Sequence, residues 1–188
     1  MKNPSLAYLA KSFYNAYIAL DQLEPPQDEL LLYIPKLVNG AFAAELIIKA
    51  ILVEQDIPYN NEHNLKILFE KLPMEIQKRV WHFLTQKASE YADVEKRENE
   101  LLLMSDAFVQ WRYCYEGNLA PAFDIRFLSA FTNALIIVMF ELGYNVFFTK
   151  SEIALSPEEC AEIDNKIENN RRECMKNNEA NIKKKSRR

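Results

Sequence analysis

The chain has 188 residues, 49% of them hydrophobic and 12% aromatic, which suits one domain with a sizeable core and excludes a disordered chain. Its net charge of −4 is unevenly placed: residues 171–188 hold 8 Lys or Arg against 2 Glu, so the body is acidic. An acidic body excludes a general, sequence-independent nucleic-acid binder. The basic end reads first as a solvated tail, with a phosphate or membrane-surface contact as the alternative.

Only 3 glycines are present, which favours helices over a strand-rich fold with many tight turns. The 3 cysteines, Cys114, Cys160 and Cys174, show no CxxC spacing, so neither a disulfide framework nor a metal site is expected. Reduced thiols and a cytoplasmic location are the simplest reading. Lys2 is followed by a mixed amphipathic stretch and no continuous apolar core, so no secretion signal is expected. The most apolar run, Ala134 to Phe140, is too short to span a bilayer, and no membrane partner is expected. No P-loop, GxGxxG turn or Ser–His–Asp signature occurs, and no cofactor is expected.

In chain order, a first helix is expected from Ser5 to Leu23, capped by Ser5, with Leu6, Leu9, Phe13, Tyr17 and Leu20 on its apolar face. Pro25 and Pro26 break it. Leu30 to Gln55 reads as one long helix, or a short one leading into a longer one at Pro35. Gly40, Ala41, Ala43 and Ala44 are small enough to let another helix approach. After a turn at 58–61, His63 or Asn64 can cap a short helix that closes at Leu72-Pro73. Glu75 to Ala88 is amphipathic, with Ile76, Val80, Phe83 and Leu84 on one face.

Residues 91–99 are highly charged and read as a loop or an exposed first turn. A strong helix is expected from Leu101 to Tyr115, ended by Gly117-Asn118. A long buried helix is expected from Phe123 to Phe148. Ser156-Pro157-Glu158-Glu159 opens a last, mostly polar helix that frays into the basic tail. The organisation is therefore a helical domain over 1–155 and a charged helix with a basic tail over 156–188.

Four charges stand out because they sit in apolar helical patterns. Glu45 and Lys49 are four apart, on a narrow stripe of a helix that also carries Phe42, Leu46, Ile47, Ile48, Ile51 and Leu52. Arg112 and Glu116 repeat that spacing among Phe108, Trp111, Tyr113 and Tyr115. Buried charges need partners, so Arg112 is expected to reach Glu45 or Glu116, with Lys49 nearby. Two readings stay open: a structural ion-pair network, or a cationic pocket for a phosphate. His63 either caps or orients its neighbours or transfers a proton, because imidazole titrates near neutral pH. His82, between Trp81 and Phe83, reads as a core-edge residue. Trp111, Tyr113 and Tyr115 read as packing residues first and base-stacking residues second.

Three segments taken in order resemble the HEPN family of all-helical domains. Ala43-Ala44-Glu45-Leu46 with Lys49-Ala50 looks like its second core helix. His63-Asn64-Leu65 with Leu72-Pro73 looks like the short helix that follows. Trp111-Arg112-Tyr113 with Tyr115-Glu116 looks like its signature helix. The resemblance covers roughly residues 5–150. It implies an all-α, HEPN-like up-and-down bundle of about five to six helices. A homodimer is expected, with exposed small residues near Gly40 and the aromatic helix around Trp111 as its contact.

Many members are metal-independent ribonucleases of toxin–antitoxin and phage-defence systems. These use an Arg followed four to six residues later by a His. Arg112 has no such His, because Asn118 and its neighbours occupy those positions. Asn118 can hold a phosphate oxygen but cannot act as an acid or base. The resemblance thus implies a module binding RNA, a nucleotide or an antitoxin-type protein through Glu45, Lys49, Tyr113 and Glu116. The alternative is a variant ribonuclease site built on Arg112, His63 and Asn118.

Overall fold

The computed structural model describes residues 4–23, 30–105 and 124–143, together with positions 161, 165, 169 and 172. The chain is an all-α helical bundle, and among the described residues there is no strand. Its helices are α1 (Pro4–Gln22), α2 (Leu30–Glu54), α3 (Leu65–Glu70), α4 (Met74–Lys87), α5 (Val94–Met104) and α6 (Ile125–Glu141), with a 3-10 turn at Ser89–Tyr91 between α4 and α5. Positions 161, 165, 169 and 172 are helical and exposed. Among the described residues no helix is long and apolar enough to cross a membrane.

Helix α2 is central and packs against α1, α3 and α6, while α4 lies along α6 and α5 along α3. The reason is compositional. From Ala41 to Leu52 every residue of α2 except Phe42 is buried, so α2 must be covered on nearly all sides. Pro35 lies within α2, which runs on without a break. So near the start, its missing N–H removes only the bond to residue 31.

Helix α1 faces the core through Ala7, Ala10, Tyr14 and Tyr17, and Leu9 is 44% exposed. Of the expected face, Tyr17 is in the core and Leu6 and Phe13 pack against it, whereas Leu9 turns outward and Ala7, Ala10 and Tyr14 take the centre. The small alanines win because α1 lies close against α2. At Gly40 an added Cβ would stand 2.9 Å from Leu128 Cδ2 and 3.0 Å from Tyr17 Cδ2, so any side chain there would make Leu128 of α6 and Tyr17 of α1 shift from their places against α2. The small residues near Gly40 are thus covered within the chain, which removes them as the expected exposed contact between two copies. Tyr14 adds a hydrogen bond from its hydroxyl to Asn133 of α6 at 2.7 Å.

Other boundaries also shift. Helix α1 includes Ser5 and begins at Pro4, so Ser5 is not its cap. Asn64, and not His63, caps α3, its side chain accepting from the Ile67 amide. Of the two readings of the charged stretch 91–99, a loop or an exposed first turn, the helical one holds: Asp93 accepts from the amides of Glu95 and Lys96 and starts α5 at Val94. Leu101 lies in the last turns of that helix, which closes at Met104, so no helix opens at Leu101. Helix α6 ends at Glu141 and not at Phe148, because Gly143 turns into the left-handed region at φ +88°.

The centre is a column of rings. Phe69 contacts Trp81 and Phe131 at centroid distances of 4.8 and 5.4 Å. Phe131 stacks on Phe127 at 5.7 Å, and Phe127 meets Tyr91 edge-on at 5.1 Å. These contacts tie α3, α4, α6 and the 3-10 turn together, beyond the area they bury.

Gly40→Val should lower unfolding stability by about 1–3 kcal/mol in urea titration, because the extra methyls overpack the α1–α2–α6 contact. A neutral or stabilising effect would contradict that contact.

Candidate functional site

Three of the sequence-derived site residues come together against the C-terminal half of α2. Glu45 is 1% exposed and Lys49 6% exposed, with Lys49 Nζ donating to Glu45 Oε1 at 2.7 Å. Their i,i+4 spacing in a fully buried helical stretch places them side by side. His63 arrives from the loop before α3, and its Nδ1 lies 2.9 Å from the same Oε1. Tyr59 of that loop puts its ring 5.2 Å from Lys49 Nζ, covering the ammonium. Glu45 Oε2 is buried and has no hydrogen-bond partner among the described residues.

Loop geometry explains how His63 reaches α2. Asp56 and Asn60 adopt left-handed φ values of 58° and 51°, which Asp and Asn tolerate better than most residues. Glu62 then accepts from the backbone amides of His63 at 2.9 Å and Asn64 at 2.8 Å. These bonds, the Asn64 amide foremost, hold the Glu62 carboxyl below its usual range. The Leu65 amide donates to Ser105 O at 2.9 Å, which fixes the start of α3 to the end of α5. Lys66 bridges the same two helices by donating to Glu98 at 2.7 Å.

The His63 side chain stays 52% exposed while Glu45, its partner, is buried. The arrangement is therefore a buried ion pair with a half-exposed imidazole at its mouth. A carboxylate accepting from one imidazole nitrogen orients the ring and leaves the other nitrogen available to a ligand. Arg112, Tyr113, Glu116 and Asn118, with Trp111, lie outside the described residues. His82 is exposed, its ring edge-on to Phe83 at 5.4 Å, and stands apart from the Glu45 site on α4. Among the described residues no three His, Cys, Asp or Glu side chains are grouped as metal ligands would be.

Two other polar clusters were not singled out by sequence. Arg79 of α4 forks onto both oxygens of buried Glu141 at the end of α6, with Nε to Oε2 at 3.1 Å and a shorter second arm from Nη2 to Oε1. Its guanidinium also lies 4.7 Å from the Phe83 ring. Glu141 sits at a helix C-terminus, where a negative charge is disfavoured, so Arg79 offsets both burial and the helix dipole. The one sequence signal was a charge closing the apolar run from Ala134 to Phe140.

The second cluster surrounds the start of α6. Asp124 accepts from the Arg126 amide at 2.9 Å and from the Arg126 guanidinium at 2.7 Å, while Glu100 accepts from the Asp124 amide at 2.9 Å. The Arg126 guanidinium is the main reason the Asp124 carboxyl is held down to about 2, against an ordinary value of 3.8. The buried Tyr91 hydroxyl faces Asp124 without completing a hydrogen bond of good geometry, and burial pushes its pKa up.

Lys49→Met should destabilise the fold by roughly 3–5 kcal/mol, since it strands a buried carboxylate. The paired change Glu45→Leu with Lys49→Met should recover a large part of that loss in denaturant titration. Equal stability of the single and double variants would contradict a buried pair. For Asp124, the depressed folded value means its contribution is complete above the ordinary carboxylate range and is lost as pH falls through about 2. Between pH 4 and pH 2 the wild type should therefore lose more stability than Asp124→Asn, which keeps a capping side chain. Parallel curves would contradict the charged cap.

No protein-family model, curated protein or solved structure matches the chain.

Proposed function

We propose that the chain is a HEPN-like helical module that binds RNA, a nucleotide or an antitoxin-type partner protein. On this reading it works as a cytoplasmic homodimer in a toxin–antitoxin or phage-defence setting. The single observation that carries the reading is the Glu45–Lys49 pair, buried in α2, with half-exposed His63 held on the same carboxylate oxygen. The three residues lie in two of the segments that resemble the family. A buried polar cluster opening to solvent at one side chain is better suited to recognising a ligand than to stability alone. On this reading the phosphate contact falls to Arg112, and Tyr113, Glu116 and Asn118 are further candidates for ligand contact.

A second reading is a metal-independent ribonuclease. It is favoured by the Nδ1 contact of His63 with Glu45, which resembles the carboxylate–imidazole half of a general-base pair. In that reaction His63 takes the proton of a ribose 2′-hydroxyl. The 2′-oxygen forms a bond to the adjacent phosphorus, the bond to the 5′-oxygen breaks, and the departing oxygen takes up a proton. Arg112 stabilises the charge on the phosphate.

The test uses single-stranded RNA and ATP with highly purified wild type, Arg112→Ala and His63→Gln, in EDTA. The binding module predicts micromolar binding by wild type, weakened at least about tenfold in Arg112→Ala, a loss of one charge-assisted contact. It also predicts no cleavage above background. Cleavage by wild type that both variants lose would overturn the binding-only reading in favour of the ribonuclease. Absence of both binding and cleavage would leave only the partner-protein form.

A further inference from the structure

We infer that buried Glu45 is a positioning residue that holds the His63 ring with a hydrogen on Nδ1, so that Nε2 of the neutral ring faces outward as a hydrogen-bond and proton acceptor. This rests on reading Glu45, Lys49 and His63 as the functional site, and it adds the direction in which that site works. Three observations carry it. Glu45 Oε1 can only accept when ionised, so the ring nitrogen 2.9 Å away must bear the hydrogen. Lys49 Nζ, 2.7 Å from the same oxygen, supplies the positive charge that a carboxylate 1% exposed requires. The backbone beside the ring is held by the Glu62 carboxylate on two amides and by the Asn64 cap of α3, which fixes where the His63 side chain starts and leaves the Nδ1 contact to fix the ring itself.

The consequence is chemical. A free neutral imidazole in water favours the other tautomer, with the hydrogen on Nε2. At the Glu45 site the preference is reversed, and the half-exposed edge of the ring becomes an acceptor. Such an edge recognises a hydroxyl group on a ligand and can take its proton. It does not recognise an anion while the ring is neutral. The anionic part of a ligand must then be held elsewhere, which separates the two jobs of the site between His63 and a cationic group.

His82 is the chain's other histidine and is exposed, which makes it an internal reference. The experiment is long-range proton–nitrogen correlation NMR on the full-length, nitrogen-labelled chain at pH 8, with and without ATP or single-stranded RNA. His63 should show Nδ1 protonated, and His82 the pattern of a free imidazole. In Glu45→Gln, whose amide can donate as well as accept, His63 should move toward the His82 pattern. An Nε2-protonated His63 in the wild type overturns the inference, and the wild-type spectrum alone decides this should Glu45→Gln fail to fold. A locked His63 whose Nε2 resonance shifts with RNA or ATP supports both the lock and the binding reading. A locked His63 untouched by either would overturn RNA and nucleotide binding at this site and leave the lock standing.

Discussion

A carboxylate buried in the middle of an apolar helix must be paired, and Glu45 sets that constraint for this fold. Left alone at 1% exposure, its charge would be prohibitively unfavourable. Lys49 one turn later answers it within α2, and His63 answers it from the following loop. The pairing therefore does two things at once. It lets α2 be the covered central helix, and it draws the 55–64 loop down so that α3 starts beside α5. Tyr59 then closes over the ammonium from the same loop.

The rest of the bundle is built to hold that helix still. At Gly40, Tyr17 of α1 and Leu128 of α6 fill the space a side chain would need against α2. The Phe69–Trp81–Phe131–Phe127–Tyr91 column joins α3, α4, α6 and the 3-10 turn into one packed unit. Arg79 on Glu141 and Arg126 on Asp124 neutralise the charges at the two ends of α6. A site held this rigidly can keep a ring orientation that solvent alone would not.

The all-α bundle was legible because its helices are long, periodic and poor in glycine. Glu45 and Lys49 were legible because they are the only charges in an otherwise apolar stretch and lie one helical turn apart. That His63 joins them was not legible as a contact: it lies 18 residues from Glu45, across a loop shaped by left-handed Asp56 and Asn60. Arg79 and Glu141, 62 residues apart on different helices, left only a charge closing an apolar run, with nothing to name its partner. The face of α1 was read in part: Tyr17, Leu6 and Phe13 face or flank the core, but Ala7 and Ala10 were passed over because bulk was weighed over fit. The start of α5 was hidden because Asp93, its cap, lies in a run of charges that looks like solvated loop.

The central claim is that Glu45 and His63 act as one unit, and a double-mutant cycle tests it most directly. Unfolding free energies of wild type, Glu45→Gln, His63→Ala and the double variant give the coupling between the two side chains. A favourable coupling of about 0.5 kcal/mol or more is expected for residues in one hydrogen-bonded network. Additive effects, with a coupling near zero, would mean that His63 only rests against α2, and the account of the site would fall.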